Sequence, residues 1–207
     1  MVDYLMKLLE KYSSHNFRVL WQNKQLKTLV ENLPLRDCIT VHDFSEYYKC
    51  KDLAELQSDY FQKLEASIHV TLIYRHALLD LDGVESTNEN PKVIKEHCFV
   101  ISDDDKHDQH FTHFVQKQVS EYLKSISYHV NTIHEFCDGC ACQYKSRHCF
   151  GDLASSIRDF GYQGIIRIFL ETSHTKGPQD AAAGLLKNEA DMAIIRGRVY
   201  SKCVWSI

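Results

Sequence analysis

The sequence predicts an α/β fold, in which a five-stranded mixed sheet carries helices on both faces and follows an N-terminal helical segment. Apolar residues recur three and four positions apart in several long segments, which is the helical period. Short apolar or alternating segments lie between them, as is typical of strands. The 207 residues, 44% hydrophobic and 25% charged, are enough for one well-buried core.

The first segment, residues 1–34, is expected to be helical and to end at Pro34. A stripe of apolar residues at helical spacing is followed by a second amphipathic stretch over residues 17–30. The polar run at residues 13–16 predicts a break between two helices. Residues 35–207 are expected to form the α/β domain.

Five strands and three helices are predicted in that domain. The strands are residues 38–44, 67–81, 93–102, 130–136 and 164–170. The helices are a long one from about Phe111 to Ile126 with Asp108 as N-cap, a shorter one near 147–160, and a last one that begins at Pro178. Three antiparallel strands followed by two strands joined through helical crossovers is the ribonuclease-H-like order, with strand order 3-2-1-4-5 in the sheet.

Two carboxylates stand at the ends of strands that should be neighbours. Asp43 ends the first strand, and Asp138 follows the fourth. Both would emerge at one edge of the sheet, where hard oxygen ligands suit Mg²⁺ or Mn²⁺. Two metals roughly 3.5–4 Å apart activate an attacking hydroxyl and stabilise a leaving oxygen in phosphoryl transfer.

Three segments carry a resemblance to a known family. They are residues 42–48 (HDFSEYY), 137–147 (CDGCACQYKSR) and 171–184 (ETSHTKGPQDAAAG). They resemble signature segments of animal transposon-derived proteins, approximately DFxENY, SDGxxxQ(Y/F)KN and SHGKGPxDGxGG. Smaller matches at residues 55–58 and 100–108 lie between them in the same order. The resemblance spans about two-thirds of the chain and implies a DDE-type transposase or integrase catalytic domain.

The resemblance also implies roles for individual residues. Asp43 would be the first metal ligand, Asp138 the second, and Asp180, at the start of the last helix, the third. Glu171 and Glu189 remain alternatives for the third ligand, and Asp180 could instead only stabilise its own helix through the helix dipole.

Further residues of the same segments are expected to contact the DNA substrate, with ordinary surface positions as the alternative. They are Gln143, Lys145, His174 and Lys176. The implied activity is cleavage and strand transfer at DNA phosphodiesters, with a two-metal Mg²⁺ or Mn²⁺ site.

The sequence departs from the family pattern at several positions. Thr175 replaces a glycine, Tyr47 and Ser146 each replace an asparagine, and alanines at 181–183 replace part of the glycine-rich stretch. Alanine favours helix where glycine leaves the backbone free. A domesticated, catalytically silent domain that binds nucleic acid or protein is therefore an alternative.

A cysteine cluster supports a third hypothesis, a zinc-stabilised interaction module. Its members are Cys137, Cys140, Cys142, His148 and Cys149. They supply enough soft ligands for tetrahedral zinc, but as one compact patch rather than two ligand pairs separated by a loop. Thiols beside Asp138 would also pack well as small apolar groups.

Charge and composition limit the partners. A net charge of −4 argues against a stand-alone nucleic-acid binder, so other transposase segments, missing from this chain, are expected to supply most of the DNA affinity. No signal peptide or membrane-spanning run is visible, and eight cysteines then suggest a reducing compartment. We expect an intracellular, nuclear protein without a membrane partner, and a homo-oligomer is left open.

Overall fold

A mixed sheet forms the centre of the molecule in a computed structural model that describes residues 2–49, 65–104, 106–171 and 178–196. Its long strands are β1 (Cys38–Phe44), β3 (Glu65–His76), β4 (Val93–Ser102), β5 (Thr132–Asp138) and β6 (Gly164–Leu170). They lie in the order β4-β3-β1-β5-β6. The pairs β3–β4 and β1–β3 are antiparallel, whereas β1–β5 and β5–β6 are parallel. The predicted α/β class with a mixed sheet is confirmed.

Within the described residues the sheet has a sixth, short strand, which corrects the predicted count of five. β2 (Tyr48–Lys49) pairs with the beginning of β3. Phe44 is opposite His69 and Tyr48 is opposite Ala66, so the register shifts by one residue between them. β1 and β2 therefore pair with the same side of β3, one after the other, and the chain between them is irregular. A strand of two residues is too short to leave a periodic signal in the sequence.

The predicted second strand was too long at its end. β3 stops at His76, and the short helix α2 (Leu79–Asp82) follows. Gly83 ends α2 in the left-handed conformation, with φ at 70°. Glycine adopts that conformation without the steric cost that a Cβ would add.

Helices cover both faces of the sheet. They are α1 (Val2–Glu31), α3 (Gln109–Ser125), α4 (Arg147–Phe160) and α5 (Pro178–Ile195). α1 and α5 pack on one face, and α3 and α4 on the other. The Asp108 carboxylate accepts hydrogen bonds from two backbone N–H groups of α3, which confirms the predicted N-cap. No helix within the described ranges is long and apolar enough to cross a bilayer.

The predicted break at residues 13–16 is wrong, because α1 is one continuous helix of 30 residues. Serine and asparagine cost only fractions of a kcal/mol each in a helix interior, and the run contains no proline or glycine. His15 within this run also contacts Glu171 at the end of β6, which holds the helix against the sheet.

Side chains alternate between the two faces along β1. Cys38 belongs to the core layer under α3 and α4, whereas Ile39 and Val41 belong to the layer under α1 and α5. The period of two places His42 on the first face and Asp43 on the second. Adjacent residues of one strand therefore belong to separate layers.

Candidate active site

Asp43 and Asp138 lie side by side on neighbouring parallel strands. The last pair in the register of β1 and β5 is His42 opposite Cys137, and the two aspartates come next on each strand. Both share the face of Val41 and Phe136, which is covered by α1 and α5. The predicted adjacency of the two strand ends is confirmed.

The first turn of α5 brings a third carboxylate to this edge. Ala183 packs in the core layer, which anchors α5 over β1. One turn earlier, Gln179 is 4% exposed, and its amide donates a hydrogen bond to the Asp43 carboxylate. Asp180 follows on the exposed side of the same turn.

The pKa of Asp43 responds to the charges of both other aspartates. Burial raises the pKa of Asp43 to about 7, and the charges of Asp180 and then Asp138 contribute in the same direction. The hydrogen bonds from Gln179 and from the backbone N–H of Phe44 oppose this shift only in part. Like charges at one site disfavour ionisation, so this edge of the sheet would gain from a cation.

Asp138 contributes a carboxylate oxygen that is not satisfied. Its Oδ1 is buried and has no hydrogen-bond partner among the described residues. Leaving a buried acceptor unpaired costs about 1–3 kcal/mol. Among the same residues, no group of three His, Cys, Asp or Glu side chains is assembled as a complete metal-ligand set. The aspartates are thus coupled by charge without forming a closed cage.

The two alternative third ligands have surroundings that differ from those of Asp180. The Glu171 carboxylate accepts from Arg18 Nε at 2.6 Å and pairs with His15 Nδ1 at 3.0 Å, which lowers its pKa. These contacts tie α1 to the end of β6. Glu189 is exposed and nine residues beyond Asp180, which puts it on the opposite side of α5.

Two of the four residues that were predicted to contact the substrate lie in the part of the chain that the structure describes. Gln143 and Lys145 belong to a π-helical turn (Ala141–Lys145) after β5. The backbone oxygen of Gln143 accepts from the Cys149 thiol at 3.2 Å. Lys145 is exposed, with Nζ 4.7 Å from the centre of the Phe169 ring. His174 and Lys176 lie outside the described residues.

Two described cysteines of the cluster, Cys137 and Cys149, are buried. Cys137 is buried on the face opposite Asp138, and its thiol donates to the Ile168 carbonyl at 3.9 Å. Burial raises the pKa of Cys137, which disfavours the thiolate that zinc requires. Cys149 is buried as well, and the side chain of Cys142 lies outside the description.

A buried hydrogen-bonded chain, which no sequence motif indicates, lies behind the aspartates. His42 Nδ1 lies 3.0 Å from Thr71 Oγ1, which is 3.4 Å from His69 Nδ1, and His69 Nε2 lies 3.1 Å from the Tyr144 hydroxyl. All four side chains are at most 4% exposed. This chain joins β1, which carries Asp43, to β3 and to the π-helical turn that follows Asp138. Contacts between residues so distant in sequence leave no local pattern.

One comparison with known proteins gives a match. A family model described as a domain of unknown function (DUF8701) matches residues 22–205. The chain belongs to the DUF8701 family. The DUF8701 match includes the three aspartates and every strand of the sheet. No curated protein and no solved structure matches the chain.

Proposed function

We propose that this DUF8701 chain is a ribonuclease-H-like domain of the DDE type, which cleaves and transfers DNA strands with Mg²⁺ or Mn²⁺ in the nucleus. The observation that carries the proposal is the placement of Asp43 and Asp138 on adjacent parallel strand ends, with Asp180 close enough that its charge, like that of Asp138, raises the pKa of Asp43. The order of the five long strands and the three transposase-like segments support the same function.

The residues at this edge fit a divalent metal in chemistry and charge. Three carboxylates supply hard oxygen donors, and the buried Oδ1 of Asp138 needs a partner. Asp43 and Asp138 would hold the ion, and the exposed Asp180 would complete the set by turning its side chain inward. A bound divalent ion supplies activation of the attacking hydroxyl and stabilisation of the leaving oxygen.

The remaining side chains would orient this chemistry. Gln179 holds the Asp43 carboxylate in place, and the Tyr144–His69 contact fixes the turn that follows Asp138. Lys145 is exposed at the end of that turn, where its ammonium group would attract a DNA phosphate. The acidic cluster would repel DNA until a cation neutralises it, so metal binding should precede substrate binding.

Calorimetric titration of Mn²⁺ and nicking of supercoiled plasmid test the proposal together. Asp43→Asn and Asp138→Asn should each weaken Mn²⁺ binding by at least about tenfold and abolish nicking. Asp108→Asn is the matched control, because asparagine also serves as an N-cap of α3. Full nicking activity in Asp43→Asn, or unchanged Mn²⁺ affinity in both variants, would contradict the proposal.

A catalytically silent, domesticated domain is the second candidate. It is favoured by the alanines at 181–183, which continue α5 as regular helix where the resembling segments carry glycines. This candidate predicts Mn²⁺ binding that depends on Asp43 and Asp138 without nicking under any metal condition.

A further inference from the structure

Helix α1 carries a second apolar side that faces away from the sheet. Towards the sheet, Val19 is buried, and Leu26 and Leu29 pack on the core. At 100° per residue, a separate apolar stripe lies roughly opposite these residues. Its members, each between 54% and 69% exposed, are Met6, Leu9, Phe17, Leu20 and Trp21.

The first half of α1 extends beyond the sheet. His15 and Arg18 contact Glu171, the residue that follows β6, so the helix crosses the edge of the sheet there. The residues of α1 before His15 add a length of about 20 Å. Met6 and Leu9 lie in this part and are exposed, so the core does not require them.

Four of the five residues of the stripe are spaced symmetrically about Ser13. Met6 and Leu20 lie seven residues to either side of it, and Leu9 and Phe17 lie four residues to either side. If two α1 helices pair antiparallel, Met6 meets Leu20, Leu9 meets Phe17, and Ser13 meets its own copy. The small serine at the crossing point allows the two backbones to approach closely. Steps of three and four residues are those by which paired helices interlock.

We infer that the stripe on α1 is a homodimer interface, in which α1 of one copy packs antiparallel on α1 of a second copy. A two-fold interface requires a surface that is complementary to itself, and the two residue pairs about Ser13 meet that requirement, which an unrelated partner would not impose. Its five side chains expose roughly 500 Å² per copy, which approaches the roughly 600–800 Å² per partner of small specific interfaces. Isolated exposed apolar residues would not form such a continuous patch.

Sedimentation of the full chain between about 1 and 100 μM tests the interface. The wild type should dimerise in this range, and the double variant Phe17→Glu/Leu20→Glu should be monomeric because each new charge would be buried against an apolar side chain of the second copy, Leu9 or Met6. Tyr4→Glu is the matched control, since Tyr4 is 67% exposed on another side of α1. Unchanged circular dichroism would show that the variants are folded. A monomeric wild type at 100 μM, or a dimer that survives the double substitution, would overturn the inference.

Oxidative cross-linking tests the antiparallel arrangement, with the wild type as baseline for the eight native cysteines. Ser13→Cys should link two copies, whereas Ser14→Cys, 100° around the helix, should not. Equal amounts of Met6→Cys and Leu20→Cys should link to each other but not to themselves. Self-linking of Leu20→Cys would indicate parallel helices and would overturn the proposed packing.

Discussion

Glu135 and Asp138 lie three residues apart on β5 and occupy opposite electrostatic surroundings. Glu135, on the face of α3 and α4, is 3% exposed and accepts from Arg167 at 2.8 and 2.9 Å. Asp138, on the face of α1 and α5, has a buried oxygen without a hydrogen-bond partner among the described residues and stands beside Asp43. The cation for Glu135 is built into β6, opposite it in the register. The position opposite Asp138 holds Leu170, so the charge at this edge must be balanced from outside the sheet.

The largest effect is expected on the paired side. Arg167→Met should lower the free energy of unfolding by about 3–5 kcal/mol, because it leaves the Glu135 carboxylate buried without its cation. Urea unfolding measures this loss. The double variant Glu135→Met/Arg167→Met should recover most of it, since neither charge of the pair is then left buried without its partner. A loss below about 1 kcal/mol in Arg167→Met would mean that the two acids do not differ as the contacts indicate.

A substitution among the aspartates at the edge of the sheet should change the free energy of unfolding in the opposite direction and stabilise the fold. Without metal at pH 8, Asp43→Asn should raise the free energy of unfolding by about 2 kcal/mol. Folded Asp43 keeps its proton up to about pH 7 because of burial and the charges of Asp180 and Asp138, whereas an unfolded aspartate loses it near 3.8. The folded state binds more protons between these values, so wild-type stability falls as the pH rises through this range.

Urea unfolding in EDTA at pH 5 and pH 8 checks the sign of this prediction. The stabilisation by Asp43→Asn should be smaller at pH 5 than at pH 8, because pH 5 lies only part of the way from 3.8 to 7, the range over which the folded state binds the extra proton. Destabilisation at pH 8 would show that the carboxylate is held by favourable contacts and would remove the electrostatic argument for a cation.

The sequence could predict those features of the two acidic sites that depend on residues close together in the chain. The segments 93–102, 147–160 and 164–170 were predicted with the bounds that the structure gives, because periodicity and the positions of glycine and serine are local. The same signals placed Asp43 and Asp138 on neighbouring strand ends. The Arg167 partner of Glu135 is 32 residues away, and the contact of Gln179 with Asp43 depends on how α5 docks. Such pairings are properties of the packed layers, which no segment encodes by itself.

The hydrogen-bonded chain behind the site should contribute an intermediate effect. Tyr144→Phe should cost about 1 kcal/mol, because it removes the contact of the hydroxyl with His69 Nε2 inside a fully buried layer. Tyr12→Phe is the control, since Tyr12 is 59% exposed on α1. Equal stabilities of the two variants in urea would show that the chain does not hold the π-helical turn to β3.

The smallest effect on stability, and the most informative one for the site, is expected at Asp180. This residue is exposed in the first turn of α5, so Asp180→Asn should change the free energy of unfolding by less than about 0.5 kcal/mol. The same change should lower the pKa of Asp43, because the charge of Asp180 is the largest contribution to that pKa after burial. Carboxyl chemical shifts in an NMR titration report the Asp43 midpoint directly. Glu189→Gln, on the opposite side of α5, is the matched control and should leave the midpoint where it is. An unchanged midpoint in Asp180→Asn would reduce Asp180 to a residue that stabilises its own helix, and the repulsion on which the proposed metal site rests would then come from Asp138 alone.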